Sequence, residues 1–129
     1  MLKKRLLEFF SMQQEEKREI INNALQAGPT IQFEKFAILF KTWLEILCNL
    51  SEDQRTSIFS TYVDEIISHP EKIISFNLDG ILEIFMSLST DQKLLLSTTL
   101  RGIIALLDEK SRRRLELIIP QRAMKEIGL

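Results

Sequence analysis

Apolar and polar positions along this chain follow a helical period throughout: apolar residues recur at spacings of three and four, and no segment of useful length alternates with period two. The densest apolar segment is Thr30 to Leu50, TIQFEKFAILFKTWLEILCNL, which also holds the single tryptophan, Trp43. Phe33, Phe36, Ala37, Phe40, Trp43, Leu44 and Leu47 make one stripe, and Ile38, Leu39, Ile46 and Leu50 fill its flank. Glu34, Lys41 and Glu45 leave only a narrow polar strip. The pattern predicts a core helix, capped by Thr30 and running to about Asn49, touched by neighbours on most of its circumference and organising the rest of the chain. About 20 residues is long enough to span a bilayer. However, Glu34, Lys35, Lys41 and Glu45 lie inside the segment, and an ionised group near its centre would cost roughly 2.5 to 3.5 kcal/mol. No membrane span is expected.

The flanking segments read as further helices. Leu2, Leu6, Phe9 and Phe10 suit a short amphipathic helix with Lys3, Lys4, Arg5 and Glu8 turned elsewhere. Residues 13 to 27 follow, with Ile20, Ile21, Ala24 and Leu25 as the apolar edge and Gly28–Pro29 as the stop. Ser51 with Gln54 forms a capping box that opens a helix to about Ser68, with Ile58, Phe59, Tyr62, Val63, Ile66 and Ile67 on one face and a broad polar back. Residues 71 to 88 read as a second core helix, with a kink or break favoured by Asn77, Asp79 and Gly80. Ser89 with Gln92 repeats the capping box before a helix to Leu107 that buries Leu96, Leu100, Ile103, Ile104 and Leu107. Asp108 caps the next helix, and Pro120 separates it from a tail helix ending near Ile127.

A shift of 38 residues places LEILCNLSEDQR, from Leu44, over LEIFMSLSTDQK, from Leu82, with seven of twelve positions identical. Leu6, Phe9, Met12, Lys17 and Ile20 fall faintly over Leu44, Leu47, Leu50, Arg55 and Ile58 at the same offset, and Pro70–Lys72 over Asp108–Lys110. One reading is a stacked unit of an apolar helix, a capped turn and an amphipathic helix. The other is that capping chemistry is limited, so that any two helical hairpins resemble each other at their turns. The expected fold is therefore all-α: a helical bundle or a short α-solenoid of two-helix units with a period of about 38 residues and six to eight helices, forming a single domain over residues 1–129.

Composition changes this picture little. Apolar residues make up 45% and charged residues 27%, as in an ordinary globular protein. The net charge of -1 hides an acidic middle: residues 30 to 90 carry four basic and nine acidic side chains, whereas residues 91 to 129 carry eight and five. The single cysteine, Cys48, rules out an internal disulfide and reads as a small buried hydrophobe. Glu8 and the polar run from Ser11 stop any signal-like hydrophobic region after Phe10, which points to a cytoplasmic protein.

Candidate chemistry is sparse. His69 is the only histidine, so one chain cannot assemble a His-rich metal site or a paired di-iron site. Its place in a last helical turn suits the helix dipole and a pairing with Glu65. Neither a glycine-rich phosphate loop nor a catalytic constellation is visible, so no cofactor, metal or enzymatic activity is expected. The densest basic cluster is Lys110, Arg112, Arg113 and Arg114, continued by Arg122 and Lys125 but interleaved with Asp108, Glu109, Glu116 and Glu126. The function expected is a non-catalytic helical protein–protein interaction module, with another protein or a second copy of the chain as partner. Contact is expected through Arg112, Arg113, Arg114 and the edge of the first helix, Leu2, Leu6 and Phe9. The alternative is a small nucleic-acid-binding regulator that uses the basic C-terminal segment.

Overall fold

A computed structural model describes residues 8–128. Among them are eight α-helices and no strand: α1 Gln14–Ala27, α2 Phe33–Cys48, α3 Glu52–Ser68, α4 Pro70–Ile74, α5 Leu78–Met86, α6 Thr90–Ala105, α7 Glu109–Ile118 and α8 Gln121–Ile127. The all-α expectation holds. The short helix expected at the start of the chain falls mostly outside the described residues, which enter it only at Glu8 and Phe9.

Local chemistry sets most helix starts. At α3 the Gln54 N–H donates to Ser51 Oγ at 3.2 Å and the Ser51 N–H to Gln54 Oε1 at 3.2 Å. The same box opens α6, with Gln92 N–H to Ser89 Oγ and Ser89 N–H to Gln92 Oε1, both 3.1 Å. At α7 Asp108 Oδ1 accepts from the Ser111 N–H at 2.7 Å. This bond, with the Ser111 hydroxyl and the nearby Lys110 and Arg114, holds the Asp108 carboxyl below its ordinary range. Thr30, expected to cap α2, instead belongs to a 3₁₀ turn, Gly28–Thr30, and its hydroxyl donates back to Ala27 O at 2.6 Å. α2 consequently begins at Phe33, after Gln32, with no side-chain cap.

Residues 71 to 88 do not form one helix. Asn77 Oδ1 accepts from the Gly80 N–H at 3.0 Å and so starts α5 afresh after the single short turn of α4. Gly80 also admits α2, since a Cβ there would lie 2.3 Å from the tip of the Phe33 ring.

The centre of the molecule is α3, not α2. Arg55, Ile58, Phe59, Thr61, Val63, Glu65 and Ile67 of α3 are buried, whereas α2 buries only Leu44 and Leu47. α3 packs on α1, α4, α6 and α7, while α2 adjoins α5 and α6. Two buried polar residues of α3 are satisfied in the fold: Thr61 Oγ1 donates to Ser57 O at 2.8 Å, and Arg55 donates to main-chain carbonyls at the end of α2. Polar groups satisfied in this way can be buried. The aromatic side of α2 does join the core: Trp43 meets Phe40, Phe59 and Tyr62 with ring centroids 5.6, 6.1 and 5.4 Å apart, and Phe36 meets Phe76 at 5.7 Å.

Two smaller expectations are corrected. His69 does not pair with the Glu65 side chain; its Nδ1 lies 3.6 Å from Glu71 Oε1, because the helix stops there and only the His69 N–H reaches Glu65 O, at 2.8 Å. Cys48 is partly exposed at the edge of the core, and desolvation still raises its thiol pKa, against the opposing pull of Arg55.

Candidate interaction surface

The helix corners share one geometry. Before the caps at Gln13, Ser51, Ser89 and Asp108, the two preceding N–H groups close back on the carbonyls three residues earlier: Ser11 and Met12 on Glu8 and Phe9, Asn49 and Leu50 on Ile46 and Leu47, Ser87 and Leu88 on Ile84 and Phe85, Leu106 and Leu107 on Ile103 and Ile104. A basic residue stands four places after each cap: Lys17, Arg55, Lys93 and Arg112. Arg55 is 6% exposed and donates from Nη1 to the carbonyls of Leu47, at 3.4 Å, and Leu50, and from Nε to Thr99 Oγ1 at 3.4 Å. Arg112 makes a looser version, from Nη2 to Ile104 O at 3.4 Å and Ala105 O at 3.5 Å. In both cases a cation covers the carbonyls that end the preceding helix, where the dipole is negative.

This role changes the reading of the basic run. Of the three arginines expected to meet a partner, Arg112 is occupied by its own corner, and Arg113 pairs with Glu109 at 2.6 Å along α7. Arg114 is exposed, and its charge helps to hold the Asp108 carboxyl ionised. The three therefore do not converge on one external group. Leu2 and Leu6 lie outside the described residues. Phe9 is not on an exposed edge: it is buried, 5.8 Å from the Phe10 ring edge-on, with the Lys17 ammonium 5.5 Å from its centroid.

The largest apolar groups left uncovered near one another in sequence lie at the start of α2. Ile38 is 70% exposed, Leu39 55% and Phe33 38%, and Ile31 in the preceding turn is exposed as well. The sequence marked this segment as apolar on most sides. What it concealed was that, among the described residues, the bundle has partners for only one of those sides. Among the described residues no group of histidine, cysteine and carboxylates has metal-binding geometry, and no helix is long and apolar enough to cross a membrane. Searches for relatives found no matching family model, curated protein or solved structure.

Proposed function

We propose that this chain is a non-catalytic helical interaction module that presents the outward face of α2 to another protein or to a second copy of itself. One observation carries the reading: Ile38 and Leu39, adjacent on α2, stay exposed away from the side that is anchored in an aromatic cluster. Adjacent exposed aliphatic groups on a rigid helix lose unfavourable hydration when a partner covers them, which is the physical mark of an association site. A finer architecture accompanies the proposal, a short array of two-helix units with the period of about 38 residues. Its support is like-on-like packing, α2 beside α5 and α3 between α1 and α6, although the contact of α7 with α3 closes the array on itself. A cytoplasmic location goes with the same reading, on the strength of the unpaired Cys48.

The test is solution mass by light scattering over a range of concentration and salt, with the double variant I38E/L39E alongside. Association that survives high salt in the parent and is lost in the variant supports self-recognition through α2. A monomeric parent sends the test to amide exchange in the presence of cell extract, where protection confined to α2 supports a different partner. Equal association of parent and variant, or no protection of α2 in extract, overturns the proposal.

A further inference from the structure

The groove between α6 and α8 carries a second, chemically different feature. Lys93, Ser97 and Arg101 stand at intervals of four on α6, so they share one face, and all three line a cavity of about 280 Å³. Its apolar walls come from Phe85 at the end of α5 and Ile127 in α8. Ser97 is 6% exposed as a residue, and among the described residues its hydroxyl makes no hydrogen bond to a protein atom while keeping access to the groove. Its neighbours do: Thr98 Oγ1 donates to Leu94 O at 2.7 Å and Thr99 Oγ1 to Leu95 O at 3.2 Å. The same back-bond was open to Ser97. Its hydroxyl is instead left open to the groove that Ser97 lines, free to bond what enters there.

The charges around this hydroxyl have one sign on the α6 side. Among the described residues no carboxylate lies within hydrogen-bonding or ion-pairing distance of Lys93 or Arg101, and Arg101 spends one donor there, Nη2 to Thr98 Oγ1 at 3.3 Å. Arg101 reaches back along α6 to Thr98, next to Ser97 in the chain, and lines the same groove as Ser97. Gly128 lets α8 close on this arginine, since a Cβ there would stand 3.1 Å from Arg101 Nη1 and its φ of +93° suits glycine. Glu126 also lines the groove, from α8, and leaves the titratable side chains of its wall with a net charge of one positive unit.

We infer that this groove is a binding site for a small oxyanion on an apolar stem, a carboxylate or phosphate joined to a ring or short chain. Arg101 and Lys93 take the charge, the Ser97 hydroxyl donates to an oxygen, and Phe85 and Ile127 cover the stem. The volume sits at the lower end of ligand cavities and limits the stem to about one ring.

Backbone amide NMR titration with benzoate, phenyl phosphate and inorganic phosphate, each against chloride at matched ionic strength, tests the assignment. Saturable shifts at Ser97, Arg101 and Gly128 are expected with at least one of the first two, and their order tells carboxylate from phosphate. R101Q is expected to weaken binding about tenfold or more, since it removes charge-assisted bonds. R122Q, on α8 but away from the groove, is expected to leave it unchanged. E126Q is expected to tighten binding severalfold, a result that a poorly folded variant cannot imitate. Shifts that fail to saturate with every probe, equal weakening by R101Q and R122Q, or no tightening in E126Q overturns the assignment.

Discussion

Arg55 Nε donates to Thr99 Oγ1 across 3.4 Å and so joins α3 to α6 inside the core. The same guanidinium holds the Leu47 and Leu50 carbonyls that end α2, so three helices meet on one side chain. A rigid planar fork suits this work better than a flexible ammonium. Arg55→Ala is expected to destabilise the protein by about 2 to 4 kcal/mol, because the carbonyls lose their donors and the packing of the stem is lost. Arg55→Lys should recover only part of this. Urea unfolding of both variants checks the ranking, with Arg112→Ala, at an exposed corner, expected to cost less than about 1 kcal/mol.

Two glycines predict opposite outcomes for the same substitution. A Cβ at Gly28 would lie 2.4 Å from the Phe76 ring, whereas one at Gly102, exposed within α6, meets nothing within 4 Å. Gly28→Ala should therefore destabilise by about 1 to 3 kcal/mol through displacement of the ring. Gly102→Ala should stabilise by roughly 0.5 to 1 kcal/mol by reducing the freedom of the unfolded chain. Urea midpoints that move in the same direction for both would refute the packing described around Gly28.

The features legible in the sequence were those fixed within a few residues. Ser51 with Gln54, Ser89 with Gln92 and Asp108 form their caps from local geometry alone, and Asn77 was flagged as a break because its amide competes for backbone bonds. What depended on distant partners was not legible. Hydropathy made α2 the centre, but α3 is central and its polar Thr61 and Arg55 can be covered because one bonds back to Ser57 O and the other to carbonyls that end α2. The spacing of Lys93, Ser97 and Arg101 stood in plain view in the sequence, yet nothing local revealed that α8 would come to lie across it. The basic run drew attention by its density, while corner geometry had already engaged Arg112.

The two sides of α2 should respond differently to truncation and polarity. Leu47 is fully covered, so Leu47→Ala is expected to cost about 3 to 5 kcal/mol through lost transfer energy and a residual cavity. Ile38→Gln lies on the exposed side and should change monomer stability by less than about 0.5 kcal/mol. Chemical unfolding at low protein concentration makes the comparison without interference from association. A large loss in Ile38→Gln under these conditions would mean that its side chain is covered within the monomer, which contradicts its place at the surface.

The single tyrosine supplies a pH signature. Tyr62 packs edge-on to Trp43 with ring centroids 5.4 Å apart, and burial pushes its phenol pKa from 10.0 up to about 12. The folded chain thus retains the proton in a range where the unfolded chain has released it. Below about pH 10 both states are protonated and the group adds no pH dependence; from there to about 12, unfolding is favoured increasingly, by about 1.4 kcal/mol per pH unit. Tyr62→Phe removes this component, so the stability gap between parent and variant should shift by roughly 1 to 2 kcal/mol between about pH 9 and about pH 11. Lysines that also titrate there affect both proteins alike and cancel in the difference. Tyrosinate absorbance followed on the folded parent gives the direct check: ionisation at the ordinary value in the native state would show that the ring is open to water and that the Trp43 contact is not maintained in solution.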